Sequence, residues 1–273
     1  MTQISVLGCG WLGLPLSKSL LTKGFLIKGS TTSRDKSNIL EQNGIQSFQI
    51  ALKETEIIGD ISSFLQNSEI LIINIPPKLR GSGSEDFVSK IKTLLSFAEK
   101  STINHVIFTS STSVYADEPL ASKSVTEETT PNPATESGKQ LVAAEKLLME
   151  NKNFRTTILR FGGLIGENRH PVFFLSGKIN LENPNAPINL IHQEDCIGII
   201  EQIILKNKSL DGNKIFNAVA PFHPSRKDYY TQKAIELNLP LPIFDESKSN
   251  DGKIILSHKI EEDLGYSFKH SKL

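Results

Sequence analysis

In the stretch ISVLGCGWLG, Gly8, Gly10 and Gly13 stand at GxGxxG spacing, directly after an apolar run and at the opening of a helical pattern. Such a turn lets the backbone bend at the first glycine, approach a diphosphate at the second and pack helix against strand at the third. The amides at the helix start, Trp11 and Leu12 among them, then face the anion. About twenty residues on, where an acid would hold the ribose hydroxyls of NAD, the chain reads Gly29-Ser30-Thr31-Thr32-Ser33-Arg34. Hydroxyls and a guanidinium match a 2′-phosphate better than a free diol, so NADP is the expected cofactor and NAD the alternative. The competing reading is a Ser/Thr-rich helix start with Arg34 in solvent. Cys9 reads as a small filler, and Trp11 as packing beside the cofactor or in the helix–sheet seam.

Other residue types are suggestive. His192 and Asp195 in IHQEDC have the chemistry of an acid/base pair, although Asp195 is better placed as an N-cap. His105 stands at a strand entrance and reads as packing, while His223, His258 and His270 show no ligand spacing with a cysteine or carboxylate, so no metal site is expected. The segment PPKLRGSGS, 76–84, has two cations and the composition of either a lid over an anionic substrate or a solvated loop. Arg169 and His170, after FGGLIG, either reach a substrate or form an ordinary polar turn.

Elements that could position these residues follow from the hydrophobic rhythm. Strands are expected at Gln3–Leu7, Phe25–Ser30, Ser47–Ile50, Glu69–Ile75, His105–Ser110 and Thr156–Arg160, alternating with helices such as Trp11–Lys23 and Phe87–Glu99. The fold class is therefore α/β, a Rossmann-type doubly wound parallel sheet whose ligands sit at the carboxyl ends of the strands. After Arg160 the rhythm loosens, which suggests a dinucleotide-binding domain over 1–161 and a smaller C-terminal substrate subdomain over 162–273. A strand at Ile188–Ile191 and a helix at Asp195–Lys206 within it are expected to pack back on the first domain through 188–207. The 30 basic and 30 acidic residues among 273 cancel, so neither nucleic acid nor a membrane surface is an expected partner; a small-molecule substrate is. No apolar run approaches the roughly 20 residues of a membrane span. Two cysteines and no leader-like start point to the cytoplasm, and the state is monomer or homodimer.

Taken in order, GCGWLG, FTSSTSVYAD, PATESGKQLVAAEKLL, LRFGGLIGENRHP and INLIHQEDCIGII resemble the extended short-chain dehydrogenase/reductase superfamily, the NAD-dependent epimerase/dehydratase group. GCGWLG followed by GSTTSRDK resembles an atypical bacterial branch of it. The resemblance implies a catalytic set of a hydroxyl after the fifth strand, a tyrosine and a lysine four residues beyond it. Carried over residue by residue, the hydroxyl is Ser111 and the lysine Lys139, but Thr135 occupies the tyrosine position. The cofactor-binding set becomes Gly8, Gly10, Trp11, Leu12, Gly13, Ser30, Thr31, Thr32, Arg34, Pro76, Ser110, Lys139, Phe161 and Gly162. An alkyl hydroxyl lacks a phenol's acidity. Three readings follow: an oxidoreductase or epimerase/dehydratase using another acid/base, with Tyr115, Glu136, His170 or a water as candidates; a non-catalytic NADP(H)-binding or redox-sensing protein; or a substrate that supplies its own acid or base.

Overall fold

Ile70, Leu71, Ile72 and Ile73 have no exposed surface, as expected of a strand covered on both faces of a parallel sheet. In the computed structural model, which describes residues 1–77, 86–116, 124–248 and 252–273, they form one strand of a seven-stranded sheet. Its strands are β1 (Gln3–Leu7), β2 (Leu26–Thr31), β3 (Gln46–Gln49), β4 (Ile70–Ile73), β5 (His105–Ser111), β6 (Arg155–Phe161) and β7 (Lys214–Ala218). Their spatial order is β7-β6-β5-β4-β1-β2-β3. β1 is parallel to β2 and β4, with Ile4 beside both Ile27 and Ile70; β2–β3 and β4–β5 are parallel as well. The chain progresses outward from β1 to β3, then resumes on the other side of β1 at β4. The carboxyl ends of β1 and β4 therefore flank the point where strand order reverses, the usual place for a ligand in an open α/β sheet. The doubly wound α/β fold expected from the sequence is the one formed.

The connecting helices are α1 (Gly13–Thr22), α2 (Arg34–Gln42), α3 (Ile61–Leu65), α4 (Phe87–Ala98) and α5 (Glu136–Glu150), followed by α6 (Val172–Leu175), α7 (Gln193–Leu205), α8 (Arg226–Glu236) and α9 (His258–Leu264). Helix α1 buries Leu16, Ser17 and Leu20 along one stripe, the i, i+4 pattern of a helix lying on a sheet. Trp11 and Leu12, expected inside that helix, belong to the turn before it. Four caps mark other helix starts: Asp60, Asp86, Thr135 and Ser225 each accept an N–H three residues on. Among the described residues no helix is long and apolar enough to cross a membrane.

The chain divides into two compact units, one comprising Met1–Val114, Pro131–Arg160 and Ile203–Ile215, the other Tyr115–Thr130, Phe161–Gln202 and Phe216–Leu273. They interleave along the chain. The second has its own core of Ile165, Val172, Ile188, Leu190, Tyr229, Tyr230 and Ala234, with the short strands Gly163–Ile165 and Leu190–His192 paired in parallel.

Two buried cationic-type side chains in the first unit show how polar groups are accommodated. Lys28 donates to the carbonyls of Ser63 and Gln66, each at 2.7 Å, satisfying orphan acceptors at the end of α3. His105, fully buried, donates from Nδ1 to Asn207 Oδ1 at 2.6 Å, and its Nε2 lies 2.8 Å from the Thr157 hydroxyl. Burial, aided by the Arg155 guanidinium, pushes its pKa from 6.5 down to about 4. Between those values the unfolded chain binds a proton that the folded chain refuses, so stability is full above pH 6.5 and falls as pH falls toward 4. By this group alone, stability should drop by about 2 kcal/mol between pH 7 and pH 5. Urea midpoints at the two pH values check this, and His105→Gln should shrink the difference.

Candidate functional site

The turn after β1 is built from backbone approach. Gly8 adopts φ 103°, and a Cβ there would lie 2.4 Å from the carbonyl oxygen of Asn74; a Cβ on Gly13 would lie 2.2 Å from the carbonyl oxygen of Gly8. Both positions exclude any larger residue. Gly10 is different: it is exposed, and a Cβ on it would meet none of the described residues within 4 Å. Hydrogen bonds tie this turn to two neighbouring strands. The Gly8 N–H donates to Ser30 Oγ at 3.0 Å, the Cys9 N–H to the Ser30 carbonyl at 2.8 Å, and Asn74 Nδ2 to the Gly8 carbonyl at 2.9 Å. Thr109 in turn donates to Asn74 Oδ1 at 3.3 Å. Sequence reasoning missed Asn74; a polar residue directly following the apolar run ILIIN at the ligand edge was the available signal.

Cys9 is buried against Ser17, with Gly29 leaving room for its sulfur. Burial pushes its thiol pKa up to about 11, which removes it as a nucleophile. The N-terminus of α1 has neither a side-chain cap nor an acidic residue in its first turn, so its partial positive charge is not countered from within the helix.

At the end of β2, Ser30 is buried with its hydroxyl oxygen receiving Gly8, and Thr31 Oγ1 receives the Ser33 N–H at 3.2 Å. Thr32 and Arg34 are exposed there, as is Pro76 after β4. Lys78 to Ser84 of the expected lid lie outside the described residues.

Ser111 ends β5, and Thr135 and Lys139 stand at the start of α5, the helix that packs against the turn after that strand. Gly138 makes the contact: a Cβ on it would lie 2.5 Å from the Ser113 carbonyl oxygen, in the single helical turn Thr112–Val114 that follows Ser111. Ser111 Oγ accepts the Ser113 N–H at 3.1 Å. Thr135 is the N-cap of α5, its Oγ1 accepting the Gly138 N–H at 3.1 Å, and Lys139 is exposed in the first turn. Ser110 is turned inward instead, giving its proton to Glu145 at 2.6 Å; Glu145 pairs with Arg160 at 2.7 Å, both almost fully buried.

Several candidates sit elsewhere. Phe161 and Gly162 fall in the second unit, where Phe161 is buried and the Gly162 N–H donates to the Ala218 carbonyl at 3.0 Å. Tyr115 is buried and its phenol donates to Asn217 Oδ1 at 2.9 Å. His170 bridges the Val172 N–H and the Tyr229 hydroxyl, and burial holds its pKa down near about 4. Glu136 and Arg169 are exposed. Asp195 is not an N-cap: α7 already begins at Gln193. Asp195 is fully buried and accepts the Tyr266 hydroxyl at 2.8 Å and the Lys269 and His270 amides at 2.7 and 3.1 Å, partners that local sequence cannot announce.

Protein YeeZ of Escherichia coli strain K12 is 36% identical over 274 residues, spanning 99% of this chain and 97% of that protein. The chain belongs to the YeeZ family. No protein-family model matches it. Among solved structures, a putative NAD-dependent epimerase/dehydratase from Methylobacillus flagellatus superposes with TM-score 0.74 at 23% identity, covering 99% of this chain and 94% of that one. The UDP-Glc/GlcNAc 4-epimerase of Campylobacter jejuni gives 0.81 at 13%, covering 100% and 95%. MoeE5 in complex with UDP-glucose and NAD gives 0.76 at 16%, covering 98% and 93%. The YeeZ-family chain thus has the fold of NAD-dependent epimerase/dehydratases and short-chain dehydrogenase/reductases.

Thr135 has a structural occupation in this fold, and it can be measured. Thr135→Ala should destabilise the protein by about 1 kcal/mol through loss of the cap, whereas Thr135→Ser should stay close to the native value. Denaturant unfolding of the two variants checks the difference.

Proposed function

We propose that the glycine turn grips the diphosphate of a nicotinamide dinucleotide, and that the protein is an NAD(P)-dependent oxidoreductase of epimerase/dehydratase type. Gly10 carries this reading. Gly8 and Gly13 are required by the chain's own contacts, but among the described residues nothing crowds Gly10. A glycine there serves an approach from outside, beside an uncapped helix start, as a diphosphate requires. The residues present fit the group: Gly8, Gly10, Trp11, Leu12 and Gly13 for the diphosphate, Thr32 and Arg34 for a 2′-phosphate. The exposed guanidinium, with no acid at the end of β2, favours NADP over NAD.

When bound, the dinucleotide supplies a hydride acceptor or donor. On this reading Lys139 holds the ribose and places a positive charge at the reacting centre, while Ser111 orients a substrate hydroxyl or carbonyl. Sugar nucleotides are the first substrate class to test, given the UDP-sugar and NAD held by MoeE5. One observation favours a second reading, a non-catalytic cofactor-binding protein: Thr135 is committed to capping α5 and offers no acidic hydroxyl.

Calorimetry with NADPH and NADH tests the cofactor; tighter NADH binding would reverse the NADP assignment. Gly10→Ala should leave stability within about 0.5 kcal/mol of native while weakening dinucleotide binding more than about tenfold. Gly13→Ala should instead destabilise the fold by about 1–3 kcal/mol. Unchanged affinity in Gly10→Ala would defeat the reading. A screen of carbonyl compounds and nucleotide sugars for NADPH oxidation or isomerisation separates enzyme from binder. Turnover lost in a folded Lys139→Ala supports the enzyme, and cofactor binding without turnover across the screen supports the binder.

A further inference from the structure

Histidine spacing along the chain offers no metal ligands, but folding of the second unit gathers three. His192 ends the strand Leu190–His192, Glu194 lies in the first turn of α7, and His270 belongs to the C-terminal segment. One donor atom from each falls within 4.8 Å of the other two. His270 Nε2 is 3.4 Å from Glu194 Oε2, and the two imidazoles stack with centroids 3.7 Å apart and planes inclined by 34°. The arrangement is braced from beneath. Asp195, next to Glu194 and fully buried, accepts the backbone amides of both Lys269 and His270, so the segment carrying His270 is fastened to the helix start that carries Glu194.

We propose that His192, Glu194 and His270 form a binding site for a divalent transition-metal ion, with zinc the ion the donor set suits best. Two imidazole nitrogens and one carboxylate oxygen match zinc's preferred ligands, whereas calcium and magnesium take oxygen shells. The carboxylate offsets part of the ion's charge. Bonds of about 2.1 Å in a tetrahedral ion place ligand atoms roughly 3.5 Å apart, closer than the present spread. Closing that gap requires side-chain rotation that parts the stacked rings. Both histidines are half-buried and Glu194 is exposed, which leaves an entry path. Three protein ligands leave a coordination position for water or a small anion. His192 and His270 also line a cavity of about 230 Å³ together with His170, Tyr229 and Lys233, from which such a ligand can come. The site is independent of the dinucleotide reading.

The test is isothermal titration of the full, untagged chain with zinc chloride, with circular dichroism to confirm that each variant is folded. One ion per chain is expected. His192→Ala and His270→Ala should each lower affinity by more than about a hundredfold, beyond the loss typical of outer-shell partners. Glu194→Gln, on an exposed side chain, should weaken binding without touching the fold, and it decides the matter if either histidine variant unfolds. His223→Ala should change nothing. Absence of zinc uptake, or uptake that persists unaltered in Glu194→Gln and the folded histidine variants, overturns the assignment.

Discussion

At the carbonyl of Gly8 a strand, a helix and a second strand converge. Its oxygen receives the Asn74 amide from beyond β4 and lies where a Cβ on Gly13 would have to go. The start of α1 can come this near to the end of β1 only because residue 13 lacks a side chain. Since interiors have little free volume to yield, that one approach sets how deeply α1 is seated on the sheet. It also decides what is left over. With Gly8 and Gly13 consumed by the fold and Ser30 holding the turn from β2, Gly10 is the glycine of this turn that no described residue crowds.

The same device recurs at α5, with a charge added. Gly138 lets the helix touch the Ser113 carbonyl, and two turns later Glu145 is buried against Arg160 and Ser110. A buried ion pair is tolerated only when its remaining hydrogen bonds are made, so this network demands one rotation of α5. At about 100° per residue, Gly138 and Glu145 lie on nearly the same face, and Lys139 is turned about 100° off it. The lysine is therefore held out of the packed stripe by the contacts of Gly138 and Glu145.

What was legible in the sequence was local. Glycines within six residues of one another, apolar stripes at helical spacing and the continuous run ILII report short-range geometry, and the observed elements match them to within a residue or two. Interactions between distant polar groups left no such trace. Asn74 reaches back 66 positions to Gly8, and Asp195 reaches forward 71 to Tyr266. Their residue types fit several roles, and only the fold selects one. Ser30 illustrates the same ambiguity: a hydroxyl at the end of β2 suits a phosphate, yet its oxygen receives the turn's own N–H.

The threonine at position 135 can be understood from these geometric demands. An N-cap needs a short side chain whose oxygen curls back to an amide three residues on, and Thr135 supplies it to Gly138, the residue through which α5 touches the turn beyond Ser111. A phenol is too long to make that bond, so a tyrosine at this position would give up the cap that Thr135 supplies. On the proposed enzymatic reading, a hydride can still be exchanged at a carbon held near Lys139. The accompanying proton must then move through a group other than the Thr135 hydroxyl.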